Sequence, residues 1–143
     1  MQDPRDRNVR DWMTPDPVTI TSSATLPDAY WLMVNNKIHR LLVVDNGQLV
    51  GIVTMEDIRS AIPQRAIPVA NPVVVNEMLS QMPVAQLMTK DPITIELTAS
   101  VAEAAQKMLE HKISTLPVLE SGKVVGIITE SDLFSVLVDI CLS

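Results

Sequence analysis

The chain repeats itself. Met13-Thr14-Pro15-Asp16-Pro17-Val18-Thr19-Ile20 returns 75 residues later as Met88-Thr89-Lys90-Asp91-Pro92-Ile93-Thr94-Ile95. At the same offset, Gly51-Ile52-Val53-Thr54-Met55-Glu56-Asp57 returns as Gly126-Ile127-Ile128-Thr129-Glu130-Ser131-Asp132. From Met13 to Arg59 the offset needs no gap, and 19 of those 47 positions are identical. A period of 75 is too long for a solenoid. Each copy is instead a folding unit of roughly 50 residues, a size that buries too little surface to be stable alone. The repeat therefore predicts two copies packed face to face around one core, an intramolecular pseudo-dimer with an approximate twofold axis.

Within one copy the pattern alternates strand and helix. Val18 to Ile20 is a short β-prone stretch after Pro17. Ser22, Ser23 or Thr25 can cap a helix running to about Asn36, with Leu26, Ala29, Met33 and Tyr30 at helical spacing. Leu41 to Val44 reads as a buried strand, Asn46-Gly47 as a type I′ hairpin turn, and Gln48 to Val53 as the return strand. A second helix starts at Thr54 and ends before Pro63. The second copy gives a strand near Ile93, a helix from Ser100 to His111, strands Leu116–Leu119 and Lys123–Ile128 about a Ser121-Gly122 turn, and a helix from Thr129. The fold class is thus α+β, two β-α-β-β-α repeats. The expected domains are residues 9–61 and 84–140, joined by a proline-rich linker, 62–83, in which Asn76–Gln81 can form a short helix. Leu133 to Ile140 is too apolar for a free tail, so it is a core helix or an oligomer contact. Trp12, aligned with Leu87, and Met33 and Met108 read as packing residues.

Bulk properties narrow the function. The net charge of −6 argues against nucleic acid as a partner, since that binding rests on clustered Lys and Arg. Only 3% of residues are aromatic although 47% are apolar, so the core is built from aliphatic residues and methionine. Cys141 is the only cysteine, which excludes an internal disulfide or thiolate metal cluster and fits a reducing cytoplasm. No stretch approaches the roughly 20 apolar residues of a membrane helix, and Met1–Arg10 has no apolar signal core. The expectation is a soluble cytoplasmic protein with no membrane partner. The sequence holds no H-E-x-x-H, G-x-S-x-G, phosphate-binding P-loop or G-x-G-x-x-G motif. No catalytic residue, catalytic cofactor or metal site is expected.

What both copies share is Gly-apolar-x-Thr-x-x-Asp at a strand-to-helix junction. Thr followed three residues later by an acid is a capping box. The same geometry also suits a ligand: helix-start amides and a hydroxyl for phosphate, and a carboxylate for the hydroxyls of a ribose. The two readings are compatible.

These motifs carry a resemblance. The two Met-Thr-x-Asp-Pro openings at Met13 and Met88 resemble those of cystathionine β-synthase (CBS) domains. So do the segments Lys37-Ile38-His39-Arg40-Leu41-Leu42-Val43-Val44 and Lys112-Ile113-Ser114-Thr115-Leu116-Pro117-Val118-Leu119, and the two Thr-x-x-Asp closings. The pair resembles a Bateman module. The resemblance implies two clefts between the repeats that hold an adenosine ligand (AMP, ADP, ATP or S-adenosylmethionine), and further pairing into a homodimer. One cleft would contain Ile127, Thr129 and Asp132, faced by Pro17, Val18, His39 and Arg40. The other would contain Ile52, Thr54 and Asp57, faced by Pro92, Ile93, Ser114, Thr115 and Pro117. Asp132 would take the ribose, Thr129 the α-phosphate, and Val18 backbone groups the adenine edge, with Ile127 against its face. His39 and Arg40 bring donors that Ser114 and Thr115 lack in charge, so the cleft with Asp132 is expected to hold a phosphorylated ligand more tightly. The implied role is a regulatory sensor acting on a regulated protein the sequence does not name. The alternative is a structural or dimerisation module with vestigial clefts.

Overall fold

The computed structural model describes residues 3–61, 77 and 80–142. The linker prolines Pro63, Pro68 and Pro72, and three of the six residues of the helix expected at Asn76–Gln81, lie outside them.

Among the described residues eight strands form two four-stranded sheets, so the fold is α+β. One sheet joins β2 (Thr19–Ile20), β3 (Arg40–Asp45), β4 (Gln48–Thr54) and β5 (Thr89–Lys90), in that order. The other joins β1 (Thr14–Pro15), β8 (Lys123–Thr129), β7 (Thr115–Glu120) and β6 (Ile95–Glu96). Among the described residues the helices that bear on the site are α1 (Val9–Trp12), α2 (Leu26–Asn36), α3 (Met55–Ala61), α4 (Val84–Leu87), α5 (Val101–His111) and α6 (Glu130–Leu142), after a 3-10 turn at Pro4–Asp6.

The chain divides into two compact units: a central unit, Val18–Asp91, and a terminal unit made of Met1–Pro17 with Pro92–Ser143. The sequence expectation of one shared core is refined here, because the buried apolar residues fall into two clusters, one in each unit. In the central unit Leu26, Ala29 and Met33 of α2 meet Leu41 and Val43 of β3, Val53 of β4 and Ile58 of α3. In the terminal unit Val101, Ala104 and Met108 of α5 meet Leu116 and Val118 of β7, Ile128 of β8 and Val136 of α6. Val9 and Val84, from the short helices α1 and α4, each seal one cluster. Tyr30 stays largely outside its cluster, at 38% exposure.

Local signals act as physics requires. Thr25 is the cap of α2: it accepts the Asp28 amide, while the Asp28 carboxylate accepts the Thr25 amide. Ser100 caps α5 by accepting the Glu103 amide. Both helices end on a lysine in the left-handed region, Lys37 and Lys112, each at φ 55°. The hairpin turns have positive φ at both central residues, Asn46-Gly47 and Ser121-Gly122, as a type I′ turn demands. The opening strands sit slightly later than the sequence suggests: Thr19–Ile20 pairs in parallel with Leu42–Val43, and Ile95–Glu96, not Ile93, pairs with Val118–Leu119.

The sequence gives no hint of how each sheet is completed. Thr14–Pro15 pairs antiparallel with Ile127 and Gly126 of β8, and Thr89–Lys90 pairs with Ile52 and Gly51 of β4. Each opening motif thus closes the sheet of the other copy. Trp12 goes with its strand: it packs on the terminal cluster, and the Arg7 guanidinium lies 5.7 Å from its ring centre. Arg7 also pairs with Asp139 of α6. The apolar C-terminal stretch is α6. Leu133, Val136 and Ile140 face the cluster, while Phe134, Leu137, Val138 and Leu142 are exposed.

The two glycines at the crossings explain themselves. A Cβ built on Gly51 would lie 2.7 Å from Met88 Sδ and 2.8 Å from the Thr89 carbonyl oxygen, and Gly126 faces Met13 and Thr14 in the same way. Gly51→Ala is therefore expected to cost about 1–3 kcal/mol by forcing β5 off β4, as measured by urea unfolding. Unchanged stability would show that the pairing can shift at no cost. A second expectation concerns acid. Asp45 accepts the Ser22 hydroxyl at 2.5 Å and its amide at 2.9 Å, and these bonds hold its pKa below the ordinary carboxylate value. A lowered folded-state pKa adds stability above the unfolded value, which is lost as pH falls through the folded value. Ser22→Ala should thus narrow the stability difference between neutral and acid pH, and parallel wild-type and variant curves would contradict this.

Candidate functional site

The repeated Thr-x-x-Asp stands where a strand turns into a helix in each unit. In the central unit Thr54 ends β4 and Met55 starts α3. The Thr54 amide donates to Asp57 Oδ2 at 2.8 Å, and the Asp57 amide donates to Thr54 Oγ1 at 3.1 Å. In the terminal unit the Thr129 amide donates to Asp132 Oδ2 at 2.8 Å, and the Asp132 amide donates to Thr129 Oγ1 at 3.4 Å. The Thr129 hydroxyl also donates to Asp132 Oδ2, at 3.2 Å. The capping-box reading is realised at both junctions.

The mid-copy segment lies beside the junction of its own unit. The His39 carbonyl accepts the Met55 amide at 2.7 Å, and Arg40 stands opposite Thr54 in the β3–β4 register. The Ser114 carbonyl accepts the Glu130 amide at 3.0 Å, and Thr115 stands opposite Thr129. Three amides at each junction are therefore already bonded within the chain. The start of each helix offers a phosphate fewer open amides than the motif alone suggests, which moves the chemistry to side chains. Each acid engages through Oδ2. Among the described residues, Oδ1 of Asp57 and of Asp132 accepts no hydrogen bond, although both groups are half-buried.

The residues expected at a site divide between the units. Val18, His39, Arg40, Ile52, Thr54 and Asp57 belong to the central unit. Pro17, Pro92, Ile93, Ser114, Thr115, Pro117, Ile127, Thr129 and Asp132 belong to the terminal one. Ile52 is flanked in its sheet by Leu42 and Thr89, and Ile127 by Pro117 and Thr14. Val18 and Ile93 pack against the clusters of their own units. Thr115 is buried. Sequence reasoning passed over Tyr30, Lys37 and Arg59, which line a concavity in the central unit beside His39. The signal available was the repeat itself, since Tyr30 and Arg59 align with Ala105 and Phe134 and so break the symmetry. Among the described residues, no cluster of three His, Cys, Asp or Glu could hold a metal, and no helix is long and apolar enough to cross a membrane.

Residues 9–64 and 84–139 each match the family model of the CBS domain. A CBS domain-containing protein of Dictyostelium discoideum is 37% identical over 134 residues, covering 92% of each chain. Other curated relatives are longer. The chain spans 23% of a homoserine O-acetyltransferase from Methanocorpusculum labreanum and 33% of an uncharacterized protein from Methanocaldococcus jannaschii. Among solved structures, a CBS domain pair in complex with 5-methylthioadenosine and S-adenosyl-L-methionine superposes with a TM-score of 0.75 at 28% identity, covering 92% of this chain and 96% of that one. CBSX2 in complex with AMP superposes with a TM-score of 0.76 at 27% identity, covering 94% and 98%.

The cap makes its own prediction. Thr54→Ala should lower the unfolding free energy by about 1 kcal/mol without any ligand, and Thr54→Ser should restore it. Equal stability of all three proteins in urea titrations would contradict a structural role for the hydroxyl.

Proposed function

The chain belongs to the CBS-domain family, and from that membership we propose that it is a regulatory module that binds an adenosine ligand between its two repeats, residues 9–61 and 84–140. It is a non-catalytic module: what it matches over nearly its whole length are CBS domains and CBS-domain pairs. The observation that carries the ligand reading is the doubled Thr–Asp junction. In each copy a half-buried carboxylate spends one oxygen on the cap and keeps the other for a hydroxyl donor. A ribose supplies two such donors. Relatives of the same fold bind 5-methylthioadenosine, S-adenosylmethionine and AMP, which supports the ligand class.

In this reading Asp132 and Thr129 hold ribose and phosphate, Ile127 lies against the base, and Pro17, Val18, His39 and Arg40 face them. Asp57, Thr54 and Ile52 form the second cleft with Pro92, Ile93, Ser114, Thr115 and Pro117. The cleft with Arg40 takes the phosphorylated ligand more tightly, because charge-assisted bonds to phosphate are about twice as strong as neutral ones. Binding changes the module only through differential affinity for two arrangements of the repeats, and it is this change that a regulated protein in the cytoplasm would read. The exposed apolar side chains of α6, Phe134, Leu137, Val138 and Leu142, favour a second role for the same chain, pairing into a homodimer.

The test is a thermal-shift and calorimetry panel with AMP, ADP, ATP and S-adenosylmethionine. A ligand at about 100 times its Kd should add about 2.7 kcal/mol of stability. Asp132→Ala should weaken AMP binding more than Asp57→Ala. No shift with any of the four overturns the sensor reading in favour of the structural one. Loss of AMP binding in Asp57→Ala alone reverses the ranking of the clefts.

A further inference from the structure

A concavity of about 430 Å³ opens in the central unit between α2, α3 and the bend that leads from α2 to β3. Its floor is apolar: Met33 is fully buried, Met55 is 8% exposed and Ile38 is half-buried. Apart from the Tyr30 hydroxyl, the polar side chains among its described lining residues are basic. Lys37, His39 and Arg59 line it, all three are exposed, and no carboxylate is among its described lining residues. Among the described residues neither Lys37 nor Arg59 makes an ion pair. Two full positive charges thus face one hollow, with no acid to neutralise them, on a chain whose net charge is −6.

The second copy is an internal control. Lys37, His39, Met55 and Arg59 align with Lys112, Ser114, Glu130 and Phe134, and Tyr30 aligns with Ala105. The same fold is built there with one lysine, an acid and an aromatic ring. The fold therefore does not require this basic set, and its concentration in one copy calls for another reason.

We propose that the α2–α3 concavity binds a small organic phosphate. The apolar body rests on Met33, Ile38 and Met55 beside the Tyr30 ring, and the phosphate meets Lys37, His39 and Arg59. The volume leaves room for an organic body as well as a phosphate, because it lies in the range of small-molecule sites, about 300–1,000 Å³. The left-handed backbone at Lys37, φ 55°, fixes where that side chain leaves the main chain. The site is separate in composition from the adenosine clefts proposed above, since neither Asp57 nor Asp132 lines it. Only His39 is common to both.

The probe is 1-naphthyl phosphate, followed by calorimetry against 1-naphthol and inorganic phosphate. Wild-type protein should bind the naphthyl phosphate more tightly than either part alone, with affinity falling as salt rises. The double variant Lys37→Asn, Arg59→Gln should bind about tenfold more weakly or worse, while Lys37→Arg keeps the affinity. Asp57→Ala and Asp132→Ala should leave it unchanged. No binding by the wild type, or full affinity in a folded double variant, overturns the proposal. So does loss of binding in Asp132→Ala, which would place the probe in the adenosine cleft. If naphthyl phosphate binds as expected and no adenosine ligand does, this site stands and the sensor reading falls.

Discussion

Two residues of backbone pairing hold the architecture to its pattern. Thr14–Pro15 on β8 and Thr89–Lys90 on β4 are only two residues long, as are β2 and β6, yet each carries an opening motif into the sheet of the other copy. The pairing is possible because Gly126 and Gly51 have no Cβ, so the methionine and carbonyl of the incoming strand can lie against the sheet. Everything at the candidate site is downstream of this. Ile127 and Ile52 have neighbours on both sides because the incoming strand is there. Two residues on, the same strands β8 and β4 end at Thr129 and Thr54.

The Thr–Asp junction shows why structural and functional readings need not compete. The cap consumes the Thr hydroxyl as acceptor, one carboxylate oxygen and two amides, and the His39 or Ser114 carbonyl takes a third amide. What it leaves is a single carboxylate oxygen, already fixed in direction by the bond its twin makes. A group held rigid by structure loses little freedom when a ligand arrives. The helix-start amides, prominent in the sequence argument, turn out to be mostly spent on His39 and Ser114 carbonyls and on the caps themselves.

Periodicity and turn chemistry made most elements legible in the sequence. Asn46-Gly47 and Ser121-Gly122 fix their hairpins because few residues accept positive φ. Thr25 and Ser100 mark helix starts because a side chain must satisfy an orphan amide there. The exchange of opening strands was not legible, because nothing local records which sheet edge a two-residue strand will join. The separate clusters were hidden for the same reason: a hydrophobic pattern says which residues are buried, not with which partners. The motif marked Thr54, Asp57, Thr129 and Asp132, which stand at the two capped strand-to-helix junctions. Tyr30 and Arg59, which line the concavity of the central unit, lie on helices whose other faces supply the core, and only folding brings them beside His39.

The exchange of opening strands also sets an order of assembly on the ribosome. The central unit runs without a break from Val18 to Asp91, so all of it has been synthesised before the second copy is half made. The terminal unit draws on two segments that flank the central one, Met1–Pro17 and Pro92–Ser143, and the earlier must wait for the later. Until the residues of that later segment emerge, Val9 and Trp12 stay exposed to water without the cluster they join, and a nascent chain in that state is the one a chaperone would meet.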